Sequence, residues 1–235
     1  MATTLNKLVY DIKNILRSGV TSDDDNISNR NVEFWIHNTR AQLIRQDLNK
    51  GRSLSDNIVQ SLGCVNVTQV DASLCCGINT DCNTYRTTVT LPKPIEINAE
   101  DLITKIAPVA IGERPFHIVP LDRIPYIGFT PFKGINNSTK AVYDGGYVYI
   151  FVPQSNKVIK KITIEGVFAD PTEVRTFNNC SGSACYTNDS AYPISEHMIE
   201  TMKQMILSTN GRIITQSLTD SKGDSDSKVE ANITK

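Results

Sequence analysis

The feature that constrains this chain most is a change in the period of its hydrophobic residues. Leu5, Leu8, Val9, Ile12, Ile15 and Leu16 recur at i, i+3, i+4 and i+7, the spacing that lays an apolar stripe along one helix face. From about residue 58 to 170 apolar residues alternate instead, as in Cys64–Val70 and Tyr85–Leu91. That is the period of a strand with one buried face. A helical period returns near residue 195, where Met198, Ile199, Met202, Met205 and Ile206 follow Ser195, a residue suited to an N-cap. Helix, then strands, then helix is an α+β pattern.

Local signals set the boundaries. Gly19 follows the first helix where a left-handed cap is expected. The second helix starts with Ser28 or Asn29 as N-cap, carries Val32, Trp35, Ile36, Thr39, Leu43 and Ile44 on one face, and stops near Gly51. The clearest hairpin is Ala141–Tyr143, a turn at Asp144-Gly145-Gly146, and Tyr147–Val152, because Asp-Gly supplies the positive φ a tight turn needs. A further strand is predicted over 158–168. Most of the ten prolines lie between residues 92 and 171, at the ends of these runs, where they cost no ladder bond. The predicted organisation is a helical hairpin at 1–57, an inserted antiparallel β-rich domain at 58–170, a loop and C-terminal helix at 171–214, and a polar tail at 215–235. The two terminal helical parts form a scaffold carrying the β-domain. The tail is too polar to offset its own ordering entropy and is expected to order on a partner.

Composition excludes several classes of function. The net charge is −1, which leaves no basic excess for gripping nucleic acid through bulk charge. No stretch approaches the roughly 20 apolar residues of a membrane span, and the N-terminus lacks the apolar run of a signal peptide, so a cytoplasmic site of synthesis and no membrane partner are expected. G-x-G-x-x-G, P-loop, G-x-S-x-G and H-E-x-x-H motifs are absent from the sequence. His37, His117 and His197 stand in no nucleophilic or metal-ligand pattern, so no enzyme, no cofactor and no metal is expected. Asp23-Asp24-Asp25-Asn26 has no glycine at the sixth position that a calcium loop requires; an acidic turn before a helix is explained by the helix dipole.

Six cysteines leave three readings open. Cys64, Cys75, Cys76 and Cys82 form one group and Cys180 and Cys185 a second. Their spacing is looser than a zinc knuckle and no histidine adjoins them; disulfides stapling two loops and free thiols are the other readings. Aromatic residues cluster at Phe116, Tyr126, Phe129, Phe132, Tyr143, Tyr147, Tyr149 and Phe151. They fit a β-domain core better than a stacking platform for single strands.

Several segments together carry a family likeness: Leu5–Ile12, Ser28–Ile36 and Arg40–Ile44 early, then Glu165–Pro171 and Tyr192–Ile199 late. In this combination the chain resembles the head–tail connector (portal adaptor or ring) proteins of short-tailed, crAss-like bacteriophages. The resemblance implies a homo-oligomeric ring, usually twelve-fold, docked under the portal and around the DNA exit channel. It also implies an α-helical part with a β-rich insertion, and a C-terminal helix and extension that reach the portal. Mapped here, those are Ser195–Ile214 and the tail after Thr215, so the implied partner-binding residues, toward portal or adjacent ring, are His197, Met198, Lys203, Arg212, Leu218, Val229 and Ile233. The implied partners are copies of itself, the portal protein, other tail ring proteins and double-stranded DNA in non-specific passage. The implied place is the head–tail junction of the virion. The alternative is a tail-side ring or spike subunit binding a receptor or glycan through loop aromatics around Tyr126–Phe132.

Overall fold

The computed structural model describes residues 3–16, 27–71, 83–110, 112–126, 138–152 and 158–211. Within them the chain is α+β, a curled sheet with few helices. Helix α1 (Leu5–Leu16) buries Leu5, Leu8, Val9 and Ile12, most of the predicted stripe; Ile15 stays exposed. Helix α2 (Asn29–Asn49) starts at Ser28, whose hydroxyl accepts the Asn31 N–H at 3.2 Å. It stops where Gly51 adopts φ 75°. Val32, Ile36, Leu43 and Ile44 are buried as expected, but so are His37 and Arg40. Helix α3 (Glu196–Ile206) follows Ser195 and buries Met198, Met202 and Ile206. It continues as a π turn, Leu207–Gly211. The expected turn at Thr21–Asn26 and the predicted helix and tail beyond Gly211 lie outside the described residues.

The strands are β1 (Gln60–Ser61), β2 (Val65–Val70), β3 (Asn83–Thr87), β4 (Glu96–Ile97), β5 (Glu100–Asp101), β6 (Ile103–Pro108), β7 (His117–Ile118), β8 (Lys140–Asp144), β9 (Tyr147–Val152) and β10 (Lys161–Gly166). β10 is where the main sheet branches: β6 pairs along one edge, and β1 and β2 along the other. The order continues β3, β9, β8, β7. All these pairs are antiparallel except β7–β8, which is parallel. The Phe116 N–H, just before β7, donates to the Ile106 carbonyl of β6 at 2.7 Å, so the two ends of the strand order meet and the sheet curls on itself. β8 and β9 join through Gly145 and Gly146, both at positive φ (56° and 84°), the two-residue turn that matches strand twist. β4 and β5 form a separate hairpin, and the predicted strand over 85–91 leaves its ladder after Thr87.

Two apolar clusters result. One fills the curl, with Val65, Tyr85, Ile106, Phe116, Val148, Ile150, Ile162 and Phe168 among its members. The other joins the three helices to the outside of the sheet through Ile58, Ile95, Val167, Tyr192 and Ile194. Of the clustered aromatics, Phe116, Tyr149 and Phe151 are buried. Cys64, just before β2, is disulfide-bonded to Cys180, with Cα atoms 5.0 Å apart, and Cys185 is a free thiol. Cys75, Cys76 and Cys82 lie outside the described residues.

Candidate functional site

The helices are fastened to the sheet by one buried polar cluster, centred on Arg40. Its guanidinium has no exposed surface. Nε donates to the Pro193 carbonyl at 2.6 Å and Nη1 to the Phe168 carbonyl at 2.7 Å, while Nη2 has no hydrogen-bond partner among the described residues. One helical turn earlier, His37 Nδ1 lies 2.8 Å from the Tyr192 hydroxyl, its ring stacked on that of Tyr192. His37 Nε2 lies 3.6 Å from Asp170 Oδ1. Asp170 also caps the 3-10 turn Pro171–Thr176, accepting from the backbone and hydroxyl of Thr172. Thus α2, the chain leaving β10 and the chain entering α3 meet at two side chains one turn apart.

Burial dominates the electrostatics. It pushes His37 below its ordinary value, against the attraction of Asp170. It lowers Arg40 too, opposed by Tyr192, Tyr186 and Asp170. Burial raises the Tyr192 phenol, and takes Tyr186 up to about 12 with Arg40 pulling the other way. A cation in a dry site with two carbonyl acceptors fixes geometry, because losing either contact would leave a buried polar group unpaired. Beside it a cleft of ≈ 600 Å³ runs between Gln60, Tyr186, Tyr192 and the start of α3. Gln60 Oε1 and Tyr186 Oη lack hydrogen-bond partners among the described residues. Those residues hold no group of three or more His, Cys, Asp or Glu arranged for a metal.

The residues mapped as partner-binding are placed as follows. His197 Nε2 lies 2.9 Å from Asp47 Oδ2, tying the first turn of α3 to the last turns of α2. Its hydrogen bond is the largest cause holding the Asp47 carboxyl low. Met198 is buried in the helix-side core. Lys203 Nζ donates to Asp11 Oδ2 at 3.1 Å and to Glu200 Oε1 at 3.4 Å. Burial opposes the charge on Lys203, but these carboxylates leave its pKa raised. Arg212, Leu218, Val229 and Ile233 lie outside the described residues. Reading the sequence missed Arg40, Asp170 and Tyr186. The one available signal was an arginine at the position where helical spacing calls for an apolar residue, between Ile36 and Leu43.

All the late segments that carry the family likeness contribute to the Arg40 cluster: Phe168 and Asp170 from one, Tyr192 and Pro193 from the other. Among the described residues no helix is long and apolar enough to cross a membrane. No curated protein matches the chain. The phage tail ring protein 2 family of crAss phages matches residues 7–230, nearly the whole sequence, and the chain therefore belongs to that family of structural virion ring proteins.

Proposed function

We propose that this protein is a non-catalytic ring subunit that joins the phage portal to the tail and continues the DNA channel. The observation that carries the reading is the family match over residues 7–230; the rest is physical fit. A ring subunit must hold its shape while neighbours pull on it, and the Arg40 cluster makes helices and sheet one block. A net charge of −1 suits a channel through which DNA must slide, since a strongly basic lumen would bind phosphates and retain it. In this reading the terminal helical parts, 1–57 and 171–214, form the scaffold and the β-rich part, 58–170, is inserted in it. The tail, 215–235, covers the portal or an adjacent ring, with exposed His197 at the start of α3 as a further contact. Copies number twelve, as in the connectors the chain resembles.

Native mass spectrometry of the full chain, with and without purified portal, tests this. The expected result is a mass of twelve subunits that appears or grows when portal is added. Rings that ignore the portal would overturn the connector position and favour a ring farther down the tail. A 26.0 kDa monomer under both conditions would overturn the ring itself.

A further inference from the structure

Two outward surfaces of the subunit differ in chemistry and complement each other. On α1, Tyr10 is 66% and Ile15 50% exposed, and Asn6 and Lys7 are exposed beside them. No carboxylate is exposed on this helix, because Asp11, its one acid, is half-buried against Lys203. A recess of ≈ 260 Å³ separates Tyr10 and Lys13 from Asn29 and Glu33 at the start of α2. The same two turns of α2 add exposed Arg30 and Phe34, the latter 61% exposed. Among the described residues the acids beside this surface are Glu33 and exposed Asp189, which accepts from Asn6 Nδ2 at 2.8 Å; the rest is cationic, amide-bearing and apolar.

The second surface is a groove of ≈ 480 Å³ between the β4–β5 hairpin, the stretch after β7 and the β8–β9 turn. Ile118 and Leu121, 41% and 43% exposed, supply apolar wall, and Glu100, Asp101 and Asp144 supply the rim. None of these three acids makes a salt bridge among the described residues. Partial burial and neighbouring Glu96 hold Asp101 above the usual carboxylate range, only partly offset by Lys93, so an added cation there would relieve an existing cost.

The two surfaces lie at opposite ends of α2. The recess adjoins Asn29 and Glu33, whereas Arg45 Nε donates to the Glu96 carbonyl of β4 at 3.1 Å. At 1.5 Å per residue, Glu33 and Arg45 are separated by about 18 Å along the helix axis. A closed ring of identical subunits needs two different faces on opposite sides of each copy, since each copy meets its neighbours head to tail.

We propose that the α1 face of one copy, with the start of its α2, docks into the acid-rimmed groove of the next copy. The proposal rests on the ring reading, and names the contact by which the ring closes. Exposed apolar side chains at the centre with complementary charge around them is the usual anatomy of such interfaces.

Charge exchange between two full-length variants tests it. The first carries Lys7→Glu and Arg30→Glu, the second Glu100→Lys and Asp101→Lys; all four sites are exposed, and circular dichroism checks that both variants fold. Each variant alone should need at least tenfold more protein than the wild type to form rings by native mass spectrometry. Mixed in equal amounts they should form rings again, with the two variants alternating, because every contact then pairs opposite charges. Rings from either variant at wild-type concentrations, or variants that lose rings and do not recover them on mixing, would overturn this contact while leaving the ring reading standing. A wild-type chain that stays monomeric at every concentration, with and without portal, would overturn the ring reading and this contact with it.

Discussion

Arg40 sits where helical spacing calls for a hydrophobic residue, and its cost is met by two carbonyls that no other side chain satisfies as well. Replacing it with methionine keeps the volume but leaves the Phe168 and Pro193 oxygens without their donor. Arg40→Met should destabilise the fold by about 1–3 kcal/mol in urea titration, the two orphaned carbonyls outweighing the relief of a buried charge. His37 makes stability depend on pH. Burial holds its folded pKa below the ordinary value, so as pH falls through about 6.5 the unfolded chain takes up a proton that the folded one refuses. The His37 contribution is therefore complete above that pH and is lost on acidification toward the folded pKa. The urea midpoint should fall between pH 7.5 and 5.5 by more in the wild type than in His37→Gln. At the β4–β5 turn, Ala99 holds φ 65°, a left-handed conformation that costs a side-chain-bearing residue about 1–2 kcal/mol. Ala99→Gly should stabilise the protein by about 0.5–1 kcal/mol after glycine's entropy loss, read as a rise in Tm of about 2 °C.

At the scale of elements, the disulfide and the short strands decide how the β-rich part is held. Cys64 and Cys180 are 116 residues apart, so their bond closes a long loop in the unfolded chain. On the chain-entropy account that closure stabilises the fold by about 4–5 kcal/mol. Cys180→Ser should lower stability by that amount, and adding a thiol reductant should bring the wild type down to the variant while leaving the variant unchanged. Gly63, next to Cys64, packs where any side chain would collide: a Cβ there would lie 2.6 Å from the Asn178 carbonyl oxygen. The loop that carries Cys180 thus crosses the start of β2 at backbone distance. Elements of two residues, such as β1, β4, β5 and β7, are beyond any periodicity argument, since two residues cannot show a period. α2 was legible in position, length and apolar face; what its spacing did not show is that two polar residues, His37 and Arg40, are buried with that face.

Among the described residues three helices on a curled sheet form one block, with dissimilar surfaces at the two ends of α2. The polar tail is predicted from its composition to contribute to partners rather than to the fold. Deleting residues 215–235 should leave the urea midpoint unchanged and weaken portal binding at least tenfold in pull-down with purified portal. A shifted midpoint with intact portal binding would reverse that assignment.

The class and order of the main elements could be read from the amino-acid order alone, because hydrophobic period and end signals are local. The stripe on α1, the Ser28 cap, the Gly145-Gly146 turn and the Met198–Ile206 face each follow from residues within one or two turns of each other. The family likeness was legible for the same reason, since it rests on short segments within these elements or at their ends. Long-range packing set the rest: β10 flanked by β6 and by β1 and β2, the sheet curled until Phe116 met Ile106, Cys64 bonded to Cys180, and Arg40 buried. Each of these joins residues from about ten to more than a hundred positions apart, and no local periodicity or end signal specifies a pairing at such separations. Packing of the whole chain chooses among the partners that local sequence leaves equally plausible, and it buries a charge only where the fold brings carbonyls to meet it.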